Sequence, residues 1–379
     1  MNQTVRTSPD GSEERLSAAY DTALLDLDGV VYAGGEAIAH AVESLGAARD
    51  GGMHLAYVTN NAARTPQTVA EHLTRLGVAT EAADVITSAQ AVARLIADQV
   101  PAGARVLVIG AEGLEVALRE RGLEPVFSAD DDPAAVAQGY GGPGMTWERL
   151  QEASYAVARG VPWFASNTDL TIPSARGISP GNGAAVEVVR IATGADPQVA
   201  GKPLPPMHRE TVLRTGASRP LVVGDRLDTD IEGAYVGGVD SLLVLTGVTS
   251  AGELLGASPQ HRPTYVALDL RGLLEPQPKV LAVGSPGFLV GGGRRLSRTG
   301  SLCFRGVGWL LTGCGRCVGW LGLWPGMGFV TWTRGRCWGG WGCSPSWFFP
   351  HPAPSRNRGA APGPSGLRPG PRSSIAGRA

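Results

Sequence analysis

The sequence predicts an α/β fold: a doubly wound parallel sheet with a smaller α/β cap domain inserted into it. Three observations predict this. Ala23-Leu24-Leu25, His54-Leu55-Ala56-Tyr57-Val58 and Leu221-Val222-Val223 are short, nearly continuous apolar runs, the character of buried parallel strands. Helical patterns alternate with such runs, which implies βαβ units. Each run leads into a polar residue, Asp26, Thr59 or Asp225, and in open parallel sheets ligands collect beyond the carboxyl ends of the strands.

In chain order, Met1 to Arg15 is polar, lacks the apolar core of a secretion signal and is expected to be a disordered leader. The first strand ends at Asp26-Leu27-Asp28-Gly29. A helical pattern follows from Ala37 to Ala48 and stops at Gly51-Gly52, and the second strand enters Thr59-Asn60-Asn61. Thr65 to Leu76 reads as a helix opened by Pro66 and closed by Gly77.

The long interval before Gly201-Lys202-Pro203 repeats the alternation. Strand-like Arg105 to Gly110, helical Glu112 to Arg121, helical Trp147 to Arg159 and strand-like Pro162 to Ala165 suggest an inserted cap over residues 85–199. The core is then residues 16–84 and 200–276. Gly139-Tyr140-Gly141-Gly142-Pro143-Gly144 fits the dinucleotide-binding pattern in form. No clear apolar strand precedes it and Pro143 lacks an N–H, so it reads as a loop.

The chain changes character after Glu275. Residues 1–275 hold 20 Lys and Arg against 34 Asp and Glu, with no cysteine; residues 276–379 hold 13 basic residues, no acid, all five Cys and seven of the nine Trp. The acidic, cysteine-free part suits a reducing cytoplasm and argues against nucleic acid as a partner. The rest, rich in Gly, Arg, Trp, Cys and Pro, has the composition of GC-rich codons read out of frame. Residues 277–379 are therefore read as a low-complexity, frameshifted or disordered tail. A rival reading makes that basic tail a polyanion-binding arm on a scaffold. Cys314 and Cys317 with Cys337 and Cys343 have no ordered flank and are not taken as a zinc site; Cys317 to Thr333 is too Gly-rich for a convincing membrane span.

The chemistry lies in the strand-end motifs. Asp26 is a candidate nucleophile toward phosphorus, and Asp28, two residues on, a candidate acid and base for the leaving alcohol and the attacking water. Asp225 and Asp230 of Gly224-Asp225-Arg226-Leu227-Asp228-Thr229-Asp230 would join Asp26 at the same sheet edge. Carboxylates so crowded call for a cation, and Mg²⁺ is the hard, oxygen-liganded choice. Asp26, Asp225 and the Asp28 carbonyl are its expected ligands, with Asp230 orienting metal-bound water or Lys202 from behind. Lys202 is the single lysine among residues 1–275, against 19 arginines. It would balance charge on a phosphoryl group, with the Thr59 hydroxyl and Asn60 N–H donating to it.

These motifs resemble those of the haloacid dehalogenase-like phosphatases. The likeness is to the subgroup with a large cap between the second and third motifs, which includes the NagD-like, 4-nitrophenylphosphatase-like and glycerol-3-phosphate phosphatases. Further matching stretches are Thr87-Ser88-Ala89-Gln90-Ala91, Asn167-Thr168-Asp169 and Pro180-Gly181-Asn182-Gly183-Ala184. The resemblance spans about residues 20–275. It implies a Mg²⁺-dependent phosphomonoesterase working through an aspartyl-phosphate, with Asp26 as nucleophile and Asp28 as acid and base. It implies Mg²⁺ held by Asp26, Asp28 and Asp225, and a phosphoryl group gripped by Thr59 and Lys202. Asn60, Asn61, Asn167 and Asp169 are the further substrate-binding candidates. The expected substrate is a small phosphorylated metabolite, glycerol 3-phosphate or 2-phosphoglycolate before a sugar phosphate, nucleotide or pyridoxal phosphate. Phosphotransfer to an alcohol would use the same intermediate. The resemblance also implies a homodimer through the caps, and neither nucleic acid nor membrane is an expected partner.

Overall fold

The computed structural model describes residues 9–174, 176–282, 287–290, 310–314 and 317–318. Thr22–Leu25 is buried at every residue and runs parallel between Pro220–Gly224 on one side and His54–Thr59 on the other, with Leu25 opposite Val223 and Tyr57. These are the middle strands of a six-stranded parallel sheet. Val85–Thr87 lies at one edge beyond His54–Thr59; Asp240–Val244 and then Tyr265–Ala267 lie beyond Pro220–Gly224. The chain winds outward in one direction before the insertion and in the other after it. Asp26 and Asp225 therefore leave adjacent strands where the winding reverses, the crevice such sheets use for ligands.

A second parallel sheet is built from Glu124–Val126, Arg105–Ile109, Ala135–Gln138, Trp163–Ala165 and Gln198–Val199, in that spatial order. One hydrophobic cluster joins the two sheets: Leu24, Ala56, Val58 and Ile86 of the first belong with Val106, Val108, Ala135 and Phe164 of the second. The helix Ser88–Ala97 contributes Ala89, Val92, Ala93 and Ile96 to that cluster. Its start is fixed by Thr87, which accepts from the Gln90 N–H while Gln90 Oε1 accepts from the Thr87 N–H.

Several expectations are corrected. The insertion does not begin at residue 85, because Val85–Thr87 pairs with Tyr57–Thr59 as the edge strand of the first sheet; three residues were too short a run to declare a strand. The helix after the first strand is Ala41–Asp50, not Ala37–Ala48: Glu36–Ala37 instead pairs with Tyr32–Ala33, and His40 takes a left-handed conformation (φ 66°) ahead of the helix. A strand does precede Gly139; Ala135–Gln138 is wholly buried, its two alanines hiding it from a search for bulky apolar residues. The stretch to Arg15 is not all disordered leader. The Asp10 N–H donates to Thr264 O at 2.7 Å, and Ser12 exchanges bonds of 2.8 Å with Gln277.

The expected disorder beyond residue 277 falls for the most part outside the described residues. Those described there form antiparallel strands, Val280–Ala282, Gly287–Val290 and Leu310–Cys314. Cys337, Cys343 and most of the Trp-rich stretch lie outside the described residues. Among the described residues no helix is long and apolar enough to cross a membrane.

The helix that follows Lys202, Pro205–Thr215, is tied to the insertion through charge. Glu210 is fully buried and accepts from Arg94, Arg121 and Arg214. Burial pushes its carboxyl up, but the hydrogen bonds from Arg94 and Arg214 outweigh that and hold it below its ordinary value. Removing one partner of a buried ionic network leaves the others uncompensated. We therefore expect Glu210→Gln to lose about 3 kcal/mol in urea unfolding at neutral pH. Because the folded carboxyl is held low, its contribution is present above its unfolded value and is lost as pH falls through the folded one. The gap between wild type and variant should therefore narrow in acid.

Candidate active site

The three middle strands of the first sheet each end in a polar residue at the crevice, Asp26, Thr59 and Asp225. Asp26 follows Leu25 and donates its N–H to Val223 O at 2.8 Å, so the sheet ladder continues to the first carboxylate. Gly29 then turns the chain with φ 88°, and a Cβ there would lie 2.6 Å from Asp225 Oδ2. Asp225 follows Gly224, and its Oδ2 accepts the Val248 N–H at 2.6 Å. Beyond it, Leu227–Ile231 forms a π-helical turn. That turn carries Asp230 back under the crevice, where Oδ2 accepts the Arg226 N–H at 3.2 Å.

Lys202 reaches in from the opposite side. Its Nζ donates to Asp26 Oδ1 at 2.5 Å, Asp230 Oδ1 at 2.7 Å and Val58 O at 3.1 Å. Burial alone would lower this ammonium, but Asp230 and Asp26 outweigh it and hold it above its ordinary value. It does not balance the acids by itself. Burial, and then the charges of Asp26 and Asp230, push Asp225 up to about 7. Burial pushes Asp230 up to about 6 against the pull of Lys202, and it raises Asp26 and Asp28 as well.

The donor set fits a divalent cation. Asp26, Asp225 and Asp230 bring oxygens within 4.8 Å of one another. Both Asp230 oxygens are engaged, by Lys202 and by Arg226, whereas Asp225 Oδ1 is buried without a hydrogen-bond partner. Asp225 is thus an open ligand and Asp230 a brace. The Asp28 carboxylate stands outside the trio and accepts from the Tyr32 hydroxyl at 3.3 Å, which leaves its carbonyl as the group expected to face the ion.

The crevice opens into a cleft of about 110 Å³ lined by Asp26, Asp28, Thr59, Asn60, Asn61, Asn167, Asp169 and Lys202 among others. Every candidate for catalysis or substrate contact thus lines one cavity. They differ in what they have free. Thr59 Oγ1 accepts from the Asn61 N–H at 3.1 Å and keeps its own proton to donate. Asn61 Oδ1 closes a turn onto the Ala63 N–H at 2.8 Å. Asn60 is a hub: Oδ1 accepts the Lys202 N–H at 2.8 Å and Nδ2 donates to Asp169 at 3.1 Å. The Asn60 carbonyl takes Ser88 Oγ at 2.6 Å and Asn167 Nδ2 at 2.7 Å. Asn167 differs from expectation, since its Oδ1 also accepts the Asp169 N–H at 3.1 Å; with both ends of its amide spent inside the protein, it braces the cleft rather than offering a contact.

Tyr140, Thr171, Ile172 and Val248 also line the cleft and were not singled out in the sequence. Tyr140 sits in the glycine-rich loop dismissed above. Val248 belongs to the turn after Asp240–Val244, and nothing in its own residue type marks it. Arg226 lines the cleft too, with its guanidinium held by Asp228 at 2.8 and 3.1 Å.

Comparison with known proteins gives a consistent result. Residues 23–124 match the model of the haloacid dehalogenase-like hydrolase family, and residues 199–273 match the HAD-hydrolase-like family. The chain is 47% identical over 283 residues to the D-glycerol 3-phosphate phosphatase of Mycobacterium tuberculosis, covering 73% of this chain and 78% of that one. It is 36% identical over 258 residues to the acid sugar phosphatase of Staphylococcus saprophyticus, covering 68% and 97%. The crystal structure of the Mycobacterium tuberculosis glycerol phosphate phosphatase in complex with magnesium matches with a TM-score of 0.67 and 44% identity, covering 72% of this chain and 84% of that one.

Carboxyls pushed up by the fold stabilise it below their ordinary value, and that contribution is lost as pH rises through the folded values of about 6 and 7. Without a divalent ion, thermal unfolding should therefore shift to lower temperature between about pH 5 and about pH 8. Added Mg²⁺ should raise the midpoint more at the higher pH, where Asp225 and Asp230 are ionised; an equal rise at both would contradict the assignment of Asp225 as its ligand.

Proposed function

The chain belongs to the haloacid dehalogenase-like hydrolases, and on that premise we propose that its cleft hydrolyses glycerol 3-phosphate through a phosphoryl group held transiently on Asp26. It is a phosphatase of small phosphorylated metabolites, and its cofactor is Mg²⁺. The observation that carries the reading is the contact of Lys202 with both Asp26 and Asp230 beside the open oxygen of Asp225. The choice of glycerol 3-phosphate rests on likeness to the Mycobacterium tuberculosis enzyme.

Asp26 attacks phosphorus as the ester P–O bond breaks, and Asp28 gives its proton to the departing alkoxide oxygen. Asp28 then takes a proton from water, whose oxygen bonds to phosphorus as the Asp26–P bond breaks. Mg²⁺, held by Asp26, Asp225 and the Asp28 carbonyl, supplies positive charge against the phosphoryl oxygens and the carboxylates. Lys202 and the Thr59 hydroxyl donate to the phosphoryl group, and the fixed position of Lys202 means little reorganisation is needed during transfer. Asp230 holds Lys202. Asp169, on the return from the insertion, faces the leaving group, and the insertion limits the size of alcohol that fits.

Two finer readings accompany this. The absence of cysteine from residues 1–275 supports a cytoplasmic enzyme. Exposed Trp147, Tyr155 and Ile191 on the insertion's helices support pairing of two copies through the insertion.

Phosphate release from glycerol 3-phosphate, 2-phosphoglycolate, a hexose phosphate and pyridoxal phosphate, with Mg²⁺ or EDTA, tests the proposal. Glycerol 3-phosphate should rank first and EDTA should abolish turnover. Asp26→Asn should lower kcat by at least about a thousandfold. A folded, Mg²⁺-loaded protein inert on all four would overturn it.

A further inference from the structure

The loop after Asp26 is wound tightly. The N–H groups of Val31 and Tyr32 donate to Leu27 O at 2.9 and 3.2 Å, and the Gly29 N–H donates to Tyr32 O at 2.9 Å. This winding returns Tyr32 over Asp28 four residues later. The Tyr32 ring is buried, and its edge-on contact with the His72 ring, centroids 5.1 Å apart at 80°, fixes its plane. Its hydroxyl ends at Asp28 Oδ2. A buried phenol loses free energy unless its O–H finds a partner, and here the partner is the carboxylate expected to carry protons.

We propose that Tyr32 is a positioning residue for proton transfer to the leaving group: by donating to Asp28 Oδ2 it locks the carboxyl rotamer so that the other oxygen, Oδ1, faces the departing ester oxygen. The inference rests on the phosphatase reading. The proton on Asp28 Oδ1 moves to the ester oxygen as the P–O bond to that oxygen breaks and the bond from Asp26 to phosphorus forms, so Tyr32 gains and loses no proton of its own. Without the hydroxyl, Asp28 is free to turn about its side-chain bonds, and the geometry that general-acid catalysis requires is held only part of the time.

The consequence is selective. An alkoxide such as that of glycerol leaves poorly unless it is protonated, whereas 4-nitrophenolate leaves as the anion. The value of kcat/KM reports steps through loss of the leaving group and is blind to later hydrolysis of the phosphoryl-enzyme, where Asp28 serves every substrate alike. Tyr32→Phe removes one oxygen and keeps the ring against His72. With the full chain and Mg²⁺, it should lower kcat/KM for glycerol 3-phosphate by about tenfold or more and that for 4-nitrophenyl phosphate by less than about twofold.

An equal fall on both substrates would assign Tyr32 a merely structural role, and an unchanged value for glycerol 3-phosphate would show that Asp28 needs no such partner; either result overturns the proposal. If the variant loses thermal stability, Tyr32→Trp, which keeps an aromatic ring without this hydroxyl, should show the same selectivity, and its absence there also counts against the proposal. Failure of the underlying phosphatase reading looks different: the wild-type chain itself would turn over neither ester.

Discussion

Everything at this sheet edge depends on one ammonium. Asp26, Asp28, Asp225 and Asp230 converge beyond the strands, and Lys202 lies between two of them, with a third bond to Val58 O. Burying such carboxylates without compensation costs several kcal/mol for each ion. Lys202 supplies a single positive charge, and Arg226, which also lines the cleft, is already matched by Asp228. The raised values of Asp225 and Asp230 express the shortfall. A divalent ion would supply the missing positive charge, and an anionic phosphoryl group, which the carboxylates repel, would bind more readily once that ion is in place, so binding either one should favour the other.

That electrostatic demand dictates local backbone. Carboxylates can crowd only if the main chain approaches them closely, and glycine permits it. A Cβ at Gly247 would lie 1.9 Å from Asp225 Oδ2, and one at Gly224 would lie 2.2 Å from the Asp230 Cβ. The same demand reaches the insertion through Asn60. Its side chain holds the Lys202 backbone and Asp169, while its carbonyl receives Ser88 from the outgoing helix and Asn167 from the returning segment. The Lys202 backbone and both connections to the insertion are thus held by one residue, Asn60.

What could be read from the sequence was the part in which chemistry and periodicity coincide. Leu24-Leu25, Tyr57-Val58 and Val222-Val223 are unmistakable apolar runs, and each delivers a functional residue where it stops. Elements stabilised by tertiary context were harder to see. Val85–Thr87 is a strand because Tyr57–Thr59 offers it an edge, and Ala135–Gln138 because its small residues fit between Arg105–Ile109 and Trp163–Ala165. The Thr87-x-x-Gln90 capping box was a readable sign of the Ser88–Ala97 helix. Asn167 lines the cleft with its amide bonded inside the protein, which a residue type does not reveal. Tyr32 lies three residues past Asp26-Leu27-Asp28-Gly29, yet its contact with Asp28 arises from the turn at Gly29 and has no linear signature.

The central claim is that Asp26 carries the phosphoryl group. The most direct test is a single turnover with ³²P-labelled glycerol 3-phosphate and Mg²⁺, quenched in acid within milliseconds and mapped by proteolysis. The account predicts a transient, base-labile label on the peptide containing Asp26 that decays as phosphate appears. Full turnover with no labelled chain at any time, or a label on another residue, would contradict it.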